Sequence, residues 1–246
     1  MSKFFVSPGN IRGDRILVQG EDVNHIVRVL RMKVGDQLTL CDGEGRDYTV
    51  CIDEIGKEEV NTKILDCRDS LTEPPVNVIL FQGIPKAAKM EYIIQKTTEL
   101  GISRVVPVVT RRTVVKLEEG RNEKNKINRW QKIAREAAKQ SNRGRIPHIS
   151  YPVSFDDAIK EGSSLDMCIM AYEGEQNKSI KSCLVPGMHY RSIGIFIGPE
   201  GGFDAEEVSK AQEEGINIVS LGPRILRTET AGLAVLSIIM YETGGM

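Results

Sequence analysis

The amino-acid sequence predicts a mainly parallel α/β domain with helices on both faces of its sheet, preceded by a small β domain. Three observations predict it. After residue 76, apolar runs without polar alternation recur between amphipathic segments of helical period, the pattern of strands covered on both faces. Before residue 70, short runs alternate polar and apolar residues and are punctuated by glycine turns, the pattern of a small barrel or sandwich. Between them, Thr72-Glu73-Pro74-Pro75 sets two prolines where neither a helix nor a central strand tolerates them. The predicted domains are residues 1–71 and 74–246.

In the first domain, Asp36–Cys41 alternates and runs into the turn Asp42-Gly43-Glu44-Gly45, from which Tyr48–Ile52 returns. A second turn at Gly56 leads to a candidate strand over Val60–Leu65. One helical stretch, Asp22–Leu30, interrupts the strands, with Val23, Ile26, Val27 and Leu30 spaced onto one face. In the second domain the candidate strands are Val76–Phe81, Val105–Val109, Met167–Ala171, Ile193–Ile197 and Ile216–Leu221. Helices are predicted over Lys89–Leu100, Asn125–Gln140, Phe155–Lys160 and Asp204–Glu214. The last helix, Ala231–Tyr241, is almost wholly apolar, so it belongs in the core or against another subunit.

Composition narrows the class. With 40% hydrophobic and 27% charged residues the chain reads as an ordinary soluble globular protein. No apolar run approaches the ~20 residues that cross a bilayer. The first residues lack the apolar core and small-residue cleavage site of a signal peptide, so a cytoplasmic protein is expected. Cys41, Cys51, Cys67, Cys168 and Cys183 are scattered and never spaced C-x-x-C, and His25, His148 and His189 lie far apart. Neither a disulfide framework nor a metal site is expected, and the cysteines read mostly as small buried apolar residues. The net charge of −1 implies no polyanionic partner, but its distribution does. From Arg111 to Arg145, twelve basic residues stand against four acids, a local excess of eight that attracts phosphate backbones. A solvated helix face is the plainer reading of the same run.

Two loops carry the chemistry. Ile197-Gly198-Pro199-Glu200-Gly201-Gly202-Phe203 follows a buried strand and precedes a helix opened by Asp204, with Glu207 three residues on, an arrangement like a capping box. One or two glycines suffice for a tight turn, whereas three between a strand and a helix let main chain approach a ligand closely. Ligands of open α/β sheets bind at such carboxyl ends of strands. The spacing is not G-x-G-x-x-G, which argues against a nucleotide-dependent α/β enzyme such as a dehydrogenase. The second loop, Leu221-Gly222-Pro223-Arg224-Ile225-Leu226-Arg227-Thr228-Glu229-Thr230, again joins a strand to a helix, and Thr228 or Thr230 is placed to cap it. Unpaired charge beside a buried helix is costly, so Arg227 and Glu229 are expected to face partners or a ligand. A mutual or capping ion pair would also satisfy them.

The pair IGPEGGF (Ile197–Phe203) and LGPRILRTETA (Leu221–Ala231) resembles the RsmE family of the SPOUT superfamily. Further likeness runs through HIVRVLRMKVGD (His25–Asp36), DGEG (Asp42–Gly45), QGIPKAAKMEYIIQKTTELGI (Gln82–Ile102), AREAAKQSNR (Ala134–Arg143) and AYE (Ala171–Glu173), so it covers the whole chain. Members methylate N3 of a specific uracil, uracil 1498, in the 16S RNA of the small ribosomal subunit. The resemblance implies a PUA-like RNA-binding β-barrel followed by a SPOUT domain whose carboxy-terminal segment threads a trefoil knot, a very rare topology. It also implies a homodimer and S-adenosylmethionine as cofactor. Three segments would hold that cofactor. They contribute Ala171, Tyr172 and Glu173; Ile197, Gly198, Pro199, Glu200, Gly201 and Gly202; and Leu221, Gly222, Ile225, Leu226, Arg227, Thr230 and Ala231. No metal is needed, because the leaving group is already a sulfonium. Arg227 would stabilise negative charge developing on the base. Glu229 is the catalytic carboxylate candidate, with Glu173 and Glu200 open as alternative proton acceptors. RNA contacts would come from His25, Arg28, Arg31, Lys86, Lys89, Arg112, Arg143 and Arg145. The rival reading is a non-catalytic RNA-binding ribosome-assembly factor. The intact glycine loop and the Arg227-Thr228-Glu229 segment argue against it.

Overall fold

The computed structural model describes residues 3–114, 121–184 and 188–246. They form two compact units: Met1–Glu73 with Ala138–Ile146, and Pro74–Ala137 with Pro147–Met246.

The first unit is a six-stranded sheet of β1 (Lys3–Phe5), β2 (Ile11–Arg12), β3 (Arg15–Gln19), β4 (Gln37–Cys41), β5 (Arg46–Ile55) and β6 (Glu59–Asp69). The order is β1-β4-β5-β6-β3-β2. β1 pairs with β4 in parallel, and the other neighbours are antiparallel. The alternation predicted for these strands buries one face: Leu38, Leu40, Val50, Ile52 and Val60 pack around Phe4, Ile16 and Ile26. The DGEG turn closes on Asp42, whose Oδ1 accepts from the backbone N–H groups of Glu44 (2.8 Å) and Arg46 (3.0 Å).

The predicted single helix over Asp22–Leu30 is corrected. The structure has α1 (Glu21–Asn24) followed by a π-helical turn, His25–Val29, whose wider i→i+5 bond is donated by Leu30 N to His25 O (2.9 Å). The extra residue in the turn rotates the predicted face. Val23 and Ile26 stay buried, but Leu30 is exposed, and Arg31 follows in the left-handed region (φ 54°).

The segment Ala138–Ile146, placed by sequence in the second domain, packs with the first unit. Its anchor is Arg143, which is only 3% exposed. Its guanidinium grips the Glu73 carboxylate (Nη2 to Oε2, 2.7 Å), and Glu73 Oε1 also accepts the N–H groups of Gly144 (2.8 Å) and Arg145 (3.0 Å). A charge-assisted network this buried removes Arg143 from the candidate RNA contacts. Lys139 likewise pairs with Asp22, and Arg129 in the second unit pairs with Glu91 (2.9 Å), so the basic run is not one solvated face. Lys116, Glu118 and Glu119 of that run, and the side chain of Arg121, lie outside the described residues.

The second unit holds β7 (Asn77–Gly83), α2 (Lys89–Glu99), β8 (Arg104–Val109), α3 (Arg121–Gln140) as far as Ala137, β9 (His148–Ile149) and β10 (Val153–Ser154). It continues through α4 (Phe155–Ser163), β11 (Met167–Ala171), β12 (Ser192–Ile197), α5 (Ala205–Glu213), β13 (Asn217–Val219) and α6 (Thr228–Glu242). The strand order is β10-β8-β7-β12-β11-β13, with β9 also on β8, and the pairings are parallel. β9 and β10 are too short to leave a periodic signal in sequence. Successive residues face opposite layers. Leu80, Ile169 and Ile195 pack with Met90, Trp130 and Ile239 of α2, α3 and α6. Phe81, Met170 and Phe196 pack with Ile159 of α4, Phe203 and Val208 of α5, and the Phe81 and Phe196 rings stack at 4.4 Å.

One connection pairs at both edges of a strand. Tyr172 N donates to Val219 O (3.0 Å), while Ser220 N donates to Lys178 O (2.8 Å). Neighbouring residues of a strand turn their backbone groups to opposite edges, so the segment joining β11 to β12 flanks β13 on both sides.

Along α6, Val235, Leu236, Ile239 and Met240 are buried, but Ile238 (36%) and Tyr241 (75%) are exposed. Among the described residues no helix is long and apolar enough to cross a membrane. Burial is confirmed for two of the cysteines, Cys41 and Cys168, each with its thiol pushed up to about 12 by desolvation; Cys51 and Cys183 are half-buried and Cys67 is exposed.

Replacing Glu73 by Gln removes the carboxylate that faces the buried Arg143 guanidinium and accepts the Gly144 and Arg145 N–H groups. Denaturant unfolding should show a loss of about 3–5 kcal/mol. A loss within the ~1 kcal/mol of an exposed pair would contradict this assignment.

Candidate active site at the carboxyl ends of the central strands

The register of the parallel sheet brings its loops together. Ile197 lies opposite Gln82, Phe196 opposite Met170, and Ala171 opposite Val219, so β7, β12, β11 and β13 end side by side. The connections that follow β11, β12 and β13 therefore emerge at one place, where ligands of open α/β sheets bind.

The glycine loop is built by close approach. A Cβ on Gly198 would lie 2.9 Å from the backbone carbon of Gly202. Gly202 itself sits at φ +69°, and a Cβ there would meet the Glu173 carboxylate at 2.5 Å. Below the loop, Asp204 caps α5 with the predicted capping box: its side chain accepts from Glu206 N (3.1 Å), and Glu207 Oε2 accepts from Asp204 N (2.8 Å). Arg112 braces the loop by donating to Gly201 O (2.7 Å) and lies 3.6 Å from Asp204, so this predicted RNA contact holds the glycine loop.

In the second loop, the predicted cap by Thr228 or Thr230 is corrected. The N-cap of α6 is Arg227, with no side-chain bond, and its carbonyl accepts from Thr230 N and Ala231 N (both 2.8 Å). Thr228 is the first helical residue. Its buried hydroxyl instead donates to Gly198 O (2.6 Å) and accepts from Gln82 Nε2 (2.9 Å). The hydroxyl oxygen that a cap would offer to a helix N–H is instead occupied by the Gln82 amide.

Between the loops lies a cavity of about 980 Å³. Its walls include the predicted Ala171, Tyr172 and Glu173; Ile197, Gly198, Pro199, Glu200, Gly201 and Gly202; and Leu221, Gly222, Ile225, Leu226, Arg227 and Ala231. Thr230 is exposed and does not line it. Sequence reasoning missed Glu175, Gln176 and Ser220, which flank segments it had singled out, and within the second loop it did not pick Pro223, Arg224 and Thr228. Ile225, at 87% exposure, is an apolar side chain standing open beside the cavity.

Charge at the rim is organised by Lys89, placed on the sequence as an RNA contact. Its ammonium lies 3.0 Å from Glu200 Oε1 and 3.4 Å from Glu229 Oε2. The Glu200 hydrogen bond is the main cause that raises its pKa. Burial pushes the Glu200 carboxyl up, but the Lys89 bond and main-chain donors, Lys86 N among them, outweigh it and hold the group below the usual carboxylate range. The partner expected for Glu229 is thus Lys89. Arg227 lines the cavity exposed and makes no ion pair among the described residues.

The other predicted RNA contacts lie elsewhere. His25 is half-buried, edge-on to the Phe4 ring at 5.4 Å, and Arg28 and Arg31 are exposed beside it in sequence. Arg145 is exposed and donates from Nε to Glu44 O (3.1 Å), and Lys86 is exposed. Among the described residues, no cluster of side chains could hold a metal ion.

Comparison with known proteins gives this geometry a family. Residues 72–240 match the RNA methyltransferase domain model, and residues 18–65 match the RNA methyltransferase PUA domain model. The chain is 39% identical over 233 residues to ribosomal RNA small subunit methyltransferase E of Bacillus subtilis, covering 92% of this chain and 90% of that protein. The Aquifex aeolicus protein of the same name is 30% identical, covering 93% and 95%. Among solved structures, ribosomal RNA small subunit methyltransferase E of Neisseria gonorrhoeae bound to S-adenosyl methionine superposes with a TM-score of 0.80 at 29% identity, covering 98% and 97% of the two chains. A Legionella pneumophila protein solved with bound SAM gives 0.82 at 30% identity, with the same coverage. The chain belongs to the ribosomal RNA small subunit methyltransferase E family.

Proposed function

We propose that this protein transfers the methyl group of S-adenosylmethionine to N3 of a uracil in the 16S RNA of the small ribosomal subunit, in the cytoplasm. The observation that carries the reading is the cavity between the glycine loop and the Leu221–Ala231 loop, with Arg227 exposed in its wall. The fit to the cofactor is chemical. Carboxylates of Glu173 and Glu200 face the space a sulfonium cation would fill, glycine main chain offers hydrogen bonds to adenine, and Ile197, Leu221 and Leu226 supply apolar walls that Ile225 would complete on binding.

When bound, S-adenosylmethionine supplies an electrophilic methyl whose departure leaves a neutral thioether. As the N3–methyl bond forms and the sulfur–methyl bond breaks, the N3 proton must leave, and Arg227 is placed to stabilise the negative charge on the base. Of the three candidate acceptors, Glu200 is the poorest, because it is held below the usual carboxylate range and already accepts from Lys86 N and Lys89. Glu229 faces Lys89 and does not line the cavity. Glu173 lines it with an exposed carboxylate and is the acceptor we assign. RNA backbone would be held by the exposed Arg28, Arg31, Lys86 and Arg145, and the target base drawn out of its stack at a cost of roughly a few kcal/mol.

The protein is further proposed to act as a homodimer. The exposed side of the otherwise apolar α6, with Ile238 and Tyr241, is the surface a second copy would cover. Light scattering should return twice the chain mass for the wild type and the single mass for Tyr241→Glu; a monomeric wild type at micromolar concentration contradicts the proposal.

The activity is tested by transfer of a labelled methyl group to unmodified small-subunit particles, with the labelled nucleotide mapped. Arg227→Ala should lose ~10²-fold or more in rate, the scale of removing a charge-stabilising group, while donor affinity survives. No transfer by the wild type would refute the reading, and near-normal turnover of Arg227→Ala would refute the role of that residue.

A further inference from the structure

We infer that Gln82 is a positioning residue for the methyl-donor pocket, acting through Thr228 to fix the Gly198 peptide and so the spacing of the two loops that form the cavity. The inference rests on the donor reading above.

Gln82 is fully buried near the end of β7, an inner strand whose other inward residues are apolar. A buried carboxamide is costly unless its polar atoms are bonded. The amide Nε2 makes its two short bonds to Gly83 O and Thr228 Oγ1, each at 2.9 Å, and lies at 3.5 Å from the carbonyls of Ile197 and Gly198. The Thr228 hydroxyl passes its own hydrogen to Gly198 O at 2.6 Å. The amide is thus the origin of a directed chain, Gln82 N–H to Thr228 O–H to Gly198 C=O, that joins the end of β7, the start of α6 and the glycine loop. Both later members line the cavity, and Gly198 is where the two arms of the glycine loop approach within contact.

Local stability does not explain the choice of residue. Gln82 Oε1 is buried and accepts no hydrogen bond among the described residues. An unbranched apolar side chain of the same length would fill the space without that orphaned oxygen. What the carboxamide adds is direction. With Nε2 pointing at Thr228 Oγ1, the hydroxyl has one place for its hydrogen, and the Gly198 carbonyl is held against α6.

The test uses the intact chain and measures S-adenosylmethionine affinity by calorimetry, melting temperature, and kcat and KM on small-subunit particles. Gln82→Met and Thr228→Val should each raise the donor Kd by ~5–10-fold, the worth of one hydrogen bond. Thr228→Ser, which keeps the hydroxyl, should restore the wild-type Kd. The double variant should bind no worse than its weaker single parent, because both changes cut one chain. Wild-type donor affinity in Gln82→Met, whatever its melting temperature, overturns the inference, as do losses that multiply in the double variant. Should Gln82→Met fail to fold, equal donor affinity of Thr228→Val and Thr228→Ser overturns it. A wild-type chain that binds no donor refutes the underlying reading itself.

Discussion

The joint between Thr228 and Gly198 is the contact on which the rest of the site depends. Four parallel strands ending at one level would only set loops side by side. The 2.6 Å bond from the Thr228 hydroxyl to the Gly198 carbonyl ties the start of the last helix to the glycine loop and closes the wall of a cavity. The pairing of the start of the β11–β12 connection to β13 works to the same end. The segment that carries Tyr172 and Glu173 is paired to both edges of β13, so the third wall cannot drift from the other two. The apolar α6 anchors the arrangement by burying Val235, Leu236, Ile239 and Met240 under the sheet.

Charge follows a second logic. Several cations that look like phosphate contacts on the sequence are spent inside the protein. Arg143 organises Glu73 and the backbone beside it, Arg112 holds the Gly201 carbonyl, and Lys89 keeps Glu200 and Glu229 in place. Glu200, which lines the cavity, is therefore held in place before any ligand arrives, which favours a cationic donor by preorganisation. Arg227 is the contrasting case, a guanidinium in the cavity wall without a carboxylate partner among the described residues. That contrast supports assigning it to the base.

Local pattern made most of the architecture legible. β11 spans Met167–Ala171 as periodicity placed it, and the glycine loop and the capping box at Asp204 follow from residue type and spacing. The features that escaped are long-range. Arg143 and Glu73 are 70 residues apart, Lys89 and Glu229 lie on different elements, and Gln82 reaches Thr228 across 146 residues. No window of sequence shows which of several basic residues will find a buried carboxylate. The π turn at His25–Val29 escaped for another reason: Val23, Ile26, Val27 and Leu30 fit the regular helical period, and the one-residue expansion that exposes Leu30 leaves no mark on it.

The central claim is that main chain freed by glycine at adjacent strand ends encloses the methyl donor. A crystal structure with S-adenosylhomocysteine bound tests it most directly. The account predicts the ligand among Ala171–Glu173, Ile197–Gly202 and Leu221–Ala231, with Gly198 O still bonded to Thr228. Ligand density elsewhere on the chain, with this cavity unfilled, would contradict it.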